Sequence, residues 1–203
     1  IQNLKNHKVL EVFRKMTQPF ILRRLKSDKS IISDLPEKII NNQYCALTVE
    51  QAAIYQNVID ETMHEIENTD GMQRRGLILK LMTSLKQICN HPSHFNKSVI
   101  ANPESSGKTM LMFSILENIF ENNEKTLIFT QYKEMGDLLV SMINKQFQVP
   151  VMFLHGGVPR KDRDEMVKSF QEQKHKKVFV LSLKAGGTGL NLTAASNVIH
   201  YDL

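Results

Sequence analysis

Three short stretches hold residues that could handle phosphate. LSLKAGGTGLNLT, residues 181–193, follows an apolar run and puts three glycines and no acid into a loop. Without a Cβ, glycine lets backbone N–H groups approach a phosphate or sugar closely. LHGGV, residues 154–158, repeats this logic: two glycines follow an apolar run, and Pro159 is placed to open a helix whose N-terminus can meet an anion. SSGKT, residues 105–109, has the look of a nucleotide-binding P-loop. However, Asn102 stands where that pattern requires glycine, and the stretch follows a polar loop instead of a strand. Its simpler reading is that Ser105 or Ser106 caps a helix carrying Leu111, Ile115 and Ile119. GTGLNL, residues 187–192, fails as a dinucleotide fingerprint, because Leu192 occupies the third small-residue position. On the residues alone, a phosphate-contacting loop and a plain strand-to-helix turn both account for these glycines.

Cys89, His91 and His94 have metal-like spacing, with Cys45 as a conceivable fourth ligand. Structural zinc normally takes paired, regular spacings. The competing reading buries Cys89 at a helix end and lets His91-Pro92 terminate that helix. No metal site is expected here.

The elements that must position these loops alternate along the C-terminal half. TLIFT (126–130), VMFL (151–154), VFVLS (178–182) and NVIHY (197–201) are short, continuously apolar runs, the pattern of parallel strands buried on both faces. Between them, Met135, Leu138, Leu139, Met142, Ile143 and Phe147 recur at helical spacing, as do Met166, Val167 and Phe170. This alternation predicts an α/β fold with a mostly parallel central sheet flanked by helices, its ligand loops gathered at the carboxyl ends of the strands.

The N-terminal half is helical in pattern. Thr48 and Gln51 form a candidate capping box, followed by one stripe of Ala52, Tyr55, Ile59, Met63 and Ile66. A second helix is expected over about 76–90, with Leu77, Leu81, Leu85 and Ile88 on one face. IINNQYCAL (39–47) is expected to be a strand, ENTDGMQRRG (67–76) a loop, and KSVIANPESSG (97–107) a hinge. Lys5, Lys8, Arg14, Lys15, Arg23, Arg24, Lys26 and Lys29 read as a solvated basic face, with Arg23 or Arg24 partly buried between Leu22 and Leu25.

Composition sets outer limits. The 203 residues carry 26 Lys and Arg against 21 Asp and Glu, a net +5 that permits a polyanionic partner without requiring one. Two cysteines make no disulfide framework, so an intracellular home is expected: cytoplasmic in a bacterium, nuclear in a eukaryote. No apolar run approaches the ~20 residues needed to span a bilayer.

PFILRRLKSDKSIISDLPEK (19–38), LKQICNHP (85–92), KTLIFTQY (125–132), LHGG (154–157) and LSLKAGGTGLNLTAASNVIHYD (181–202) occur in this order with family-like spacing. Together they closely resemble the Swi/Snf-related DNA translocases of helicase superfamily two. The resemblance implies the C-terminal half of the motor. Residues 1–38 would be the linker from a first lobe, 39–100 a strand and helical insertion, and 101–203 most of a second RecA-like lobe. KTLIFTQY is similar to the fourth helicase motif, LHGG to the motif after it, and residues 181–193 to the fifth. Carried over residue by residue, this places Thr130, Gln131, His155, Gly156, Ser182, Lys184 and Gly186 near DNA phosphates. It places Gly187, Gly189 and Asn191 on the nucleotide side. The implied cofactor is ATP with magnesium, held mainly by the first lobe. The implied partners are double-stranded DNA, that lobe, and a DNA-bound protein complex that the motor remodels. An RNA helicase of the same superfamily and a non-catalytic binding module are the rival readings. The 48–92 helical stretch and the LRRLKSD block speak against the first. A Walker lysine upstream would exclude the second.

The first lobe's Walker lysine and metal-binding acids, and the arginines of the sixth motif, do not occur in these 203 residues. Loss of an arginine finger alone can lower a nucleotide hydrolase by about 10³–10⁵ in rate. The 203-residue chain alone is therefore expected to show no DNA-stimulated ATP hydrolysis. Phosphate release that copurifies with it, with and without duplex DNA, is the check, and hydrolysis tracking the protein would overturn the assignment.

Overall fold

Four runs of β-branched and aromatic residues form one sheet, and on β1, β2 and β3 alternate side chains enter opposite cores. The computed structural model describes residues 7–21, 38–186 and 189–202. The chain divides into two compact units, Ile1–Gln43 and Tyr44–Leu203. In the first unit, helix α1 (His7–Thr17) places Val9, Val12, Phe13 and Met16 at helical spacing and runs into a 3-10 turn, Gln18–Phe20. The LRRLKSD block (22–28), with Arg23, Arg24 and Lys26, lies outside the described residues, as do Lys29 and Lys5.

The second unit begins with a helical hairpin, α2 (Val49–Glu67) and α3 (Gly71–Asn90). The expected capping box opens α2: Gln51 N–H donates to the Thr48 hydroxyl at 3.1 Å and Thr48 N–H to Gln51 Oε1 at 3.1 Å. Two expectations need correction. The second helix starts at Gly71 rather than near Gly76, so only three residues connect the hairpin. Gly71, at φ 63°, takes the left-handed conformation that starts this helix, while Gly76 sits inside it. Met72, Gln73, Arg74 and Arg75 are ordinary helix formers, so the polar, glycine-flanked stretch read as a loop continues α3. IINNQYCAL forms no strand: residues 39–47 run without a ladder partner, and Ile39, Ile40 and Tyr44 are exposed. Strand-like composition alone does not supply a ladder partner.

His91, at φ −169° and ψ 140°, ends α3, and Pro92 opens the single turn α4 (Pro92–Phe95). Residues 97–107 include a 3-10 turn, Pro103–Ser105, before α5 (Gly107–Glu121). Ser106 caps α5, its hydroxyl accepting from Thr109 N–H at 3.4 Å, as the helical reading of SSGKT requires.

Strand and helix then alternate: β1 (Thr126–Thr130), α6 (Lys133–Phe147), β2 (Val151–Leu154), α7 (Arg160–Glu172), β3 (Val178–Ser182), the single turn α8 (Leu183–Gly186) and β4 (Asn197–His200). The sheet order is β2-β3-β1-β4, all parallel. Ile128, Val178 and Val180 enter a core with Met112, Leu116 and Ile119 of α5 and Met135, Leu139 and Ile143 of α6. Leu127, Phe179, Leu181, Met152 and Leu154 point the other way, to Phe170 of α7 and Ala185 of α8. This period-two split explains why the strands are continuously apolar. No helix among the described residues is long and apolar enough to cross a membrane.

The join between the extended segment and α5 is tight. A Cβ on Gly107 would overlap the Ala46 carbonyl oxygen, whereas one on Gly76 would meet nothing within 4 Å. Gly107→Ala is expected to destabilise the protein by about 1–3 kcal/mol through overpacking. Gly76→Ala should stabilise it by roughly 0.5–1 kcal/mol through helix propensity. Urea unfolding of the two single variants tests both signs.

Candidate nucleic-acid interface

All four strands end at one edge of the sheet. Thr130 lies beside Ser182, Leu154 beside Leu181, and Phe129 beside His200. Gln131, His155, Leu183 and Tyr201, each following its strand directly, therefore leave the sheet along this edge. Loops at the carboxyl ends of parallel strands are where open α/β sheets bind ligands.

The residues expected there do different things. Gln131 and Lys184 are exposed. His155 is half-buried and accepts from Gly157 N–H at Nδ1, 3.1 Å away. In the neutral ring that bond puts the proton on Nε2 and leaves it as a donor. Gly156 has no heavy atom within 4 Å of where a Cβ would stand, so the backbone there is open to an approaching group. Ser182 is buried and its hydroxyl accepts from Ala185 N–H at 3.4 Å, starting α8. The segment LKAG expected as loop is thus one helical turn, with Lys184 on its outside. Gly186 has a packing reason: a Cβ would come within 2.5 Å of Phe129 Cε1, on a ring that stacks against His200 at 5.3 Å. Thr130 is wholly buried and its hydroxyl donates to Asp202 Oδ2 at 2.7 Å, so it shapes the turn from beneath.

Of the residues expected on the nucleotide side, Gly187 lies outside the described residues. Gly189 sits at φ 58° in open space, and Asn191 is exposed. Gln171 of α7 fastens this loop: its amide donates to the Asn191 carbonyl at 3.1 Å and the Thr193 hydroxyl at 3.0 Å, while its Oε1 accepts from Ala194 N–H at 2.8 Å. Sequence reasoning missed Gln171. A glutamine on a helix otherwise rich in charge carries no pattern of its own.

It also missed the buried polar node under the edge. Asp202, 6% exposed, accepts from Gln131 N–H at 2.6 Å through Oδ1, and from Thr130 and Asn90 Nδ2 (3.1 Å) through Oδ2. Asn90 Oδ1 accepts from Lys108 Nζ at 2.8 Å. The Asn90 carbonyl accepts from the Ser106 hydroxyl at 2.8 Å and the Tyr201 hydroxyl at 2.7 Å. Tyr201 in turn receives the Thr109 hydroxyl proton at 2.9 Å. Burial lowers the Lys108 ammonium below the usual lysine range, an effect that Asp202 partly offsets. Burial raises the Tyr201 and Tyr132 phenols, and Asp202 adds to both shifts. The lysine of SSGKT therefore serves this node, with its ammonium on an asparagine rather than facing a nucleotide.

His91 has both ring nitrogens engaged. Nδ1 accepts from Ser93 N–H at 3.0 Å, and Nε2–H donates to the Asn102 carbonyl at 2.9 Å. That leaves no lone pair for a metal, and Cys45 is exposed on the extended segment. Among the described residues, no three His, Cys, Asp or Glu groups converge.

Two family models match the chain: the helicase conserved C-terminal domain over residues 111–203, and the SNF2-related domain over residues 2–94. YwqA of Bacillus subtilis, provisionally named an ATP-dependent helicase/translocase, is 39% identical across 100% of this chain and 22% of its own length. The human DNA excision repair protein ERCC-6 is 30% identical over 94% of the chain and 14% of its length. The chain thus spans about a fifth or less of these relatives. Among solved structures, the Sulfolobus solfataricus SWI2/SNF2 ATPase C-terminal domain is 39% identical, with a TM-score of 0.74 over 80% of this chain and 71% of that one. The ATPase core from the same organism, in complex with dsDNA, is 38% identical, with a TM-score of 0.77 over 98% of this chain and 42% of that one.

Burial lowers the imidazoles of His91 and His94 below their ordinary value of 6.5. The unfolded chain then binds more protons than the folded one below about pH 6.5. The stability contributed by the neutral rings is present above that pH and is lost as the pH falls through their lowered folded values. The unfolding free energy read from urea titrations should drop on going from about pH 7 to about pH 5, by up to about 1.4 kcal/mol per pH unit for each ring. NMR titration should place the His91 ring transition below that of an unfolded-chain histidine; a transition at or above it would contradict the buried geometry.

Proposed function

Because the chain belongs to the SNF2-related family, the Swi/Snf-related helicases of superfamily two, we propose that it is the C-terminal half of an ATP-dependent motor that translocates on double-stranded DNA and remodels DNA-bound protein complexes. The observation that carries this reading is the sheet edge. Gln131, His155, Gly156 and Lys184 come from three separate strand ends onto one line. The chain that presents them is similar to a core solved with double-stranded DNA. Groups of this kind suit a phosphate backbone: an exposed amide, an imidazole donor, open backbone and a long ammonium side chain. Such contacts grip without reading sequence, which a translocating motor needs.

The proposed division of labour follows the chain. Residues 1–38 link to a first lobe, 39–100 form the helical insertion, and 101–203 make up the second RecA-like lobe. Thr130, Ser182 and Gly186 act from beneath the DNA edge as its framework. Gly189 and Asn191, with Gly187, face the nucleotide across the cleft to the first lobe. ATP with magnesium is assigned mainly to that lobe. Closure of the two lobes on ATP and reopening after hydrolysis would step the pair along one strand.

Lys184→Ala in the full-length protein is expected to weaken binding to duplex DNA about equally for all sequences, and to reduce the slope of log affinity against log salt by about one ion. DNA-stimulated turnover should fall with it while the fold is kept. Titrations with duplex DNA and duplex RNA at several salt concentrations make the test. Unchanged affinity and slope would remove Lys184 from the DNA edge. A preference for duplex RNA would favour the RNA-helicase reading.

A further inference from the structure

Asp202 lies beneath the proposed DNA edge and accepts two hydrogens from the turn after β1. The Gln131 N–H and the Thr130 hydroxyl end on its two oxygens, at 2.6 and 2.7 Å. These two bonds define where the turn leaves the sheet. A cavity of about 190 Å³ borders the carboxylate, lined also by Tyr55, Cys89, Lys108 and Tyr132. On the hairpin side its partner is Asn90. Asn90 Nδ2 donates to it at 3.1 Å, and Lys108 donates to the other end of the same amide. Asn90 is the last residue of α3, and its carbonyl is pinned by Ser106 and Tyr201. One amide thus joins the helical hairpin to the carboxylate, and one carboxylate joins it to the turn.

We propose that Asp202 is the positioning residue that holds the Thr130–Gln131 turn in its DNA-gripping conformation, with Asn90 and Lys108 orienting its carboxylate from the hairpin side. This rests on the DNA-translocase reading. The hairpin is then more than an appended insertion: its displacement relative to the sheet reaches the DNA edge through two hydrogen-bonded side chains.

A swapped pair separates positioning from stability. Asp202→Asn replaces one acceptor oxygen with a donor that confronts Asn90 and Thr130. The double variant Asp202→Asn with Asn90→Asp restores an amide-to-carboxylate bond and keeps a negative charge beside Lys108. It leaves the turn with a single acceptor oxygen. In the full-length protein, the urea midpoint lost in Asp202→Asn should recover in the double variant. Amide hydrogen exchange across residues 127–135 should stay accelerated in both, by about tenfold or more for a lost bond to a charged group. The DNA concentration giving half-maximal ATPase should rise on the same scale in both, with turnover at saturating DNA changed far less. Exchange at the turn unaltered by either variant would overturn the proposal. So would a double variant that regains wild-type DNA dependence together with stability. If Asp202→Asn does not fold, the double variant decides alone. A wild-type ATPase indifferent to DNA would instead sink the translocase reading, and exchange at the turn would still decide the role of Asp202.

Discussion

A carboxylate taken out of water must be paired and hydrogen-bonded, or it will neutralise or unfold its surroundings. Asp202 is 6% exposed at the end of the last strand, and much of the C-terminal unit is arranged around satisfying it. The turn after β1 supplies two donors, and the end of α3 supplies a third. Lys108 reaches it through Asn90, whose amide oxygen accepts the ammonium while its nitrogen donates to the carboxylate. The loop expected to grip DNA is therefore fixed by the same interaction that makes a buried acid tolerable.

The hairpin is held to the sheet by the same economy of polar groups. Gln51 is wholly buried and satisfied on both sides of its amide. Nε2 donates to the Ile88 carbonyl at 2.8 Å, and Oε1 accepts from Thr48 N–H and Gly107 N–H, each at 3.1 Å. One side chain thus caps α2, ties α2 to α3 and joins both to the start of α5. Gly107 lets the backbone approach closely enough for this, since any side chain there would meet Ala46. A buried polar network of this kind fixes a unique arrangement only when every member is satisfied, and here Gln51, Asn90 and Asp202 all are.

The sheet was legible because its signal is local. Each of the four strands shows a run of β-branched and aromatic residues, and the helices between them keep helical spacing. The capping box at Thr48 and the Ser106 cap were legible for the same reason: both are chemistry within four residues. The failures share a cause as well. IINNQYCAL has strand-like composition but no neighbouring strand, and pairing is a property of the fold rather than of the segment. Residues 71–75 look like loop because Asp70 and Gly71 punctuate them, yet Met72, Gln73, Arg74 and Arg75 are helix formers and extend α3 while staying exposed. At the candidate site, the motif residues could be placed on loops, but their division into outward and inward groups could not. Thr130, Ser182 and Gly186 share motifs with Gln131 and Lys184, and only burial separates them. Asn90 and Asp202 are 112 residues apart, so nothing in the spacing links them.

The glycines complete the argument about the edge. In sequence, Gly156, Gly186 and Gly189 look alike, as small residues following apolar runs. In space they answer different demands. Gly186 is small because Phe129 occupies the position a Cβ would take, which is a packing constraint on the single turn α8. Gly156 and Gly189 face open space among the described residues, although the left-handed backbone at Gly189 disfavours a side chain there. Openness at Gly156 has no packing reason among those residues, and in the proposed DNA-bound state an approaching phosphate would supply one. A framework of inward residues tied to Asp202, carrying a thin outer layer of Gln131, His155, Gly156 and Lys184, is the arrangement expected of a surface that must hold a uniform polyanion firmly and still let it pass.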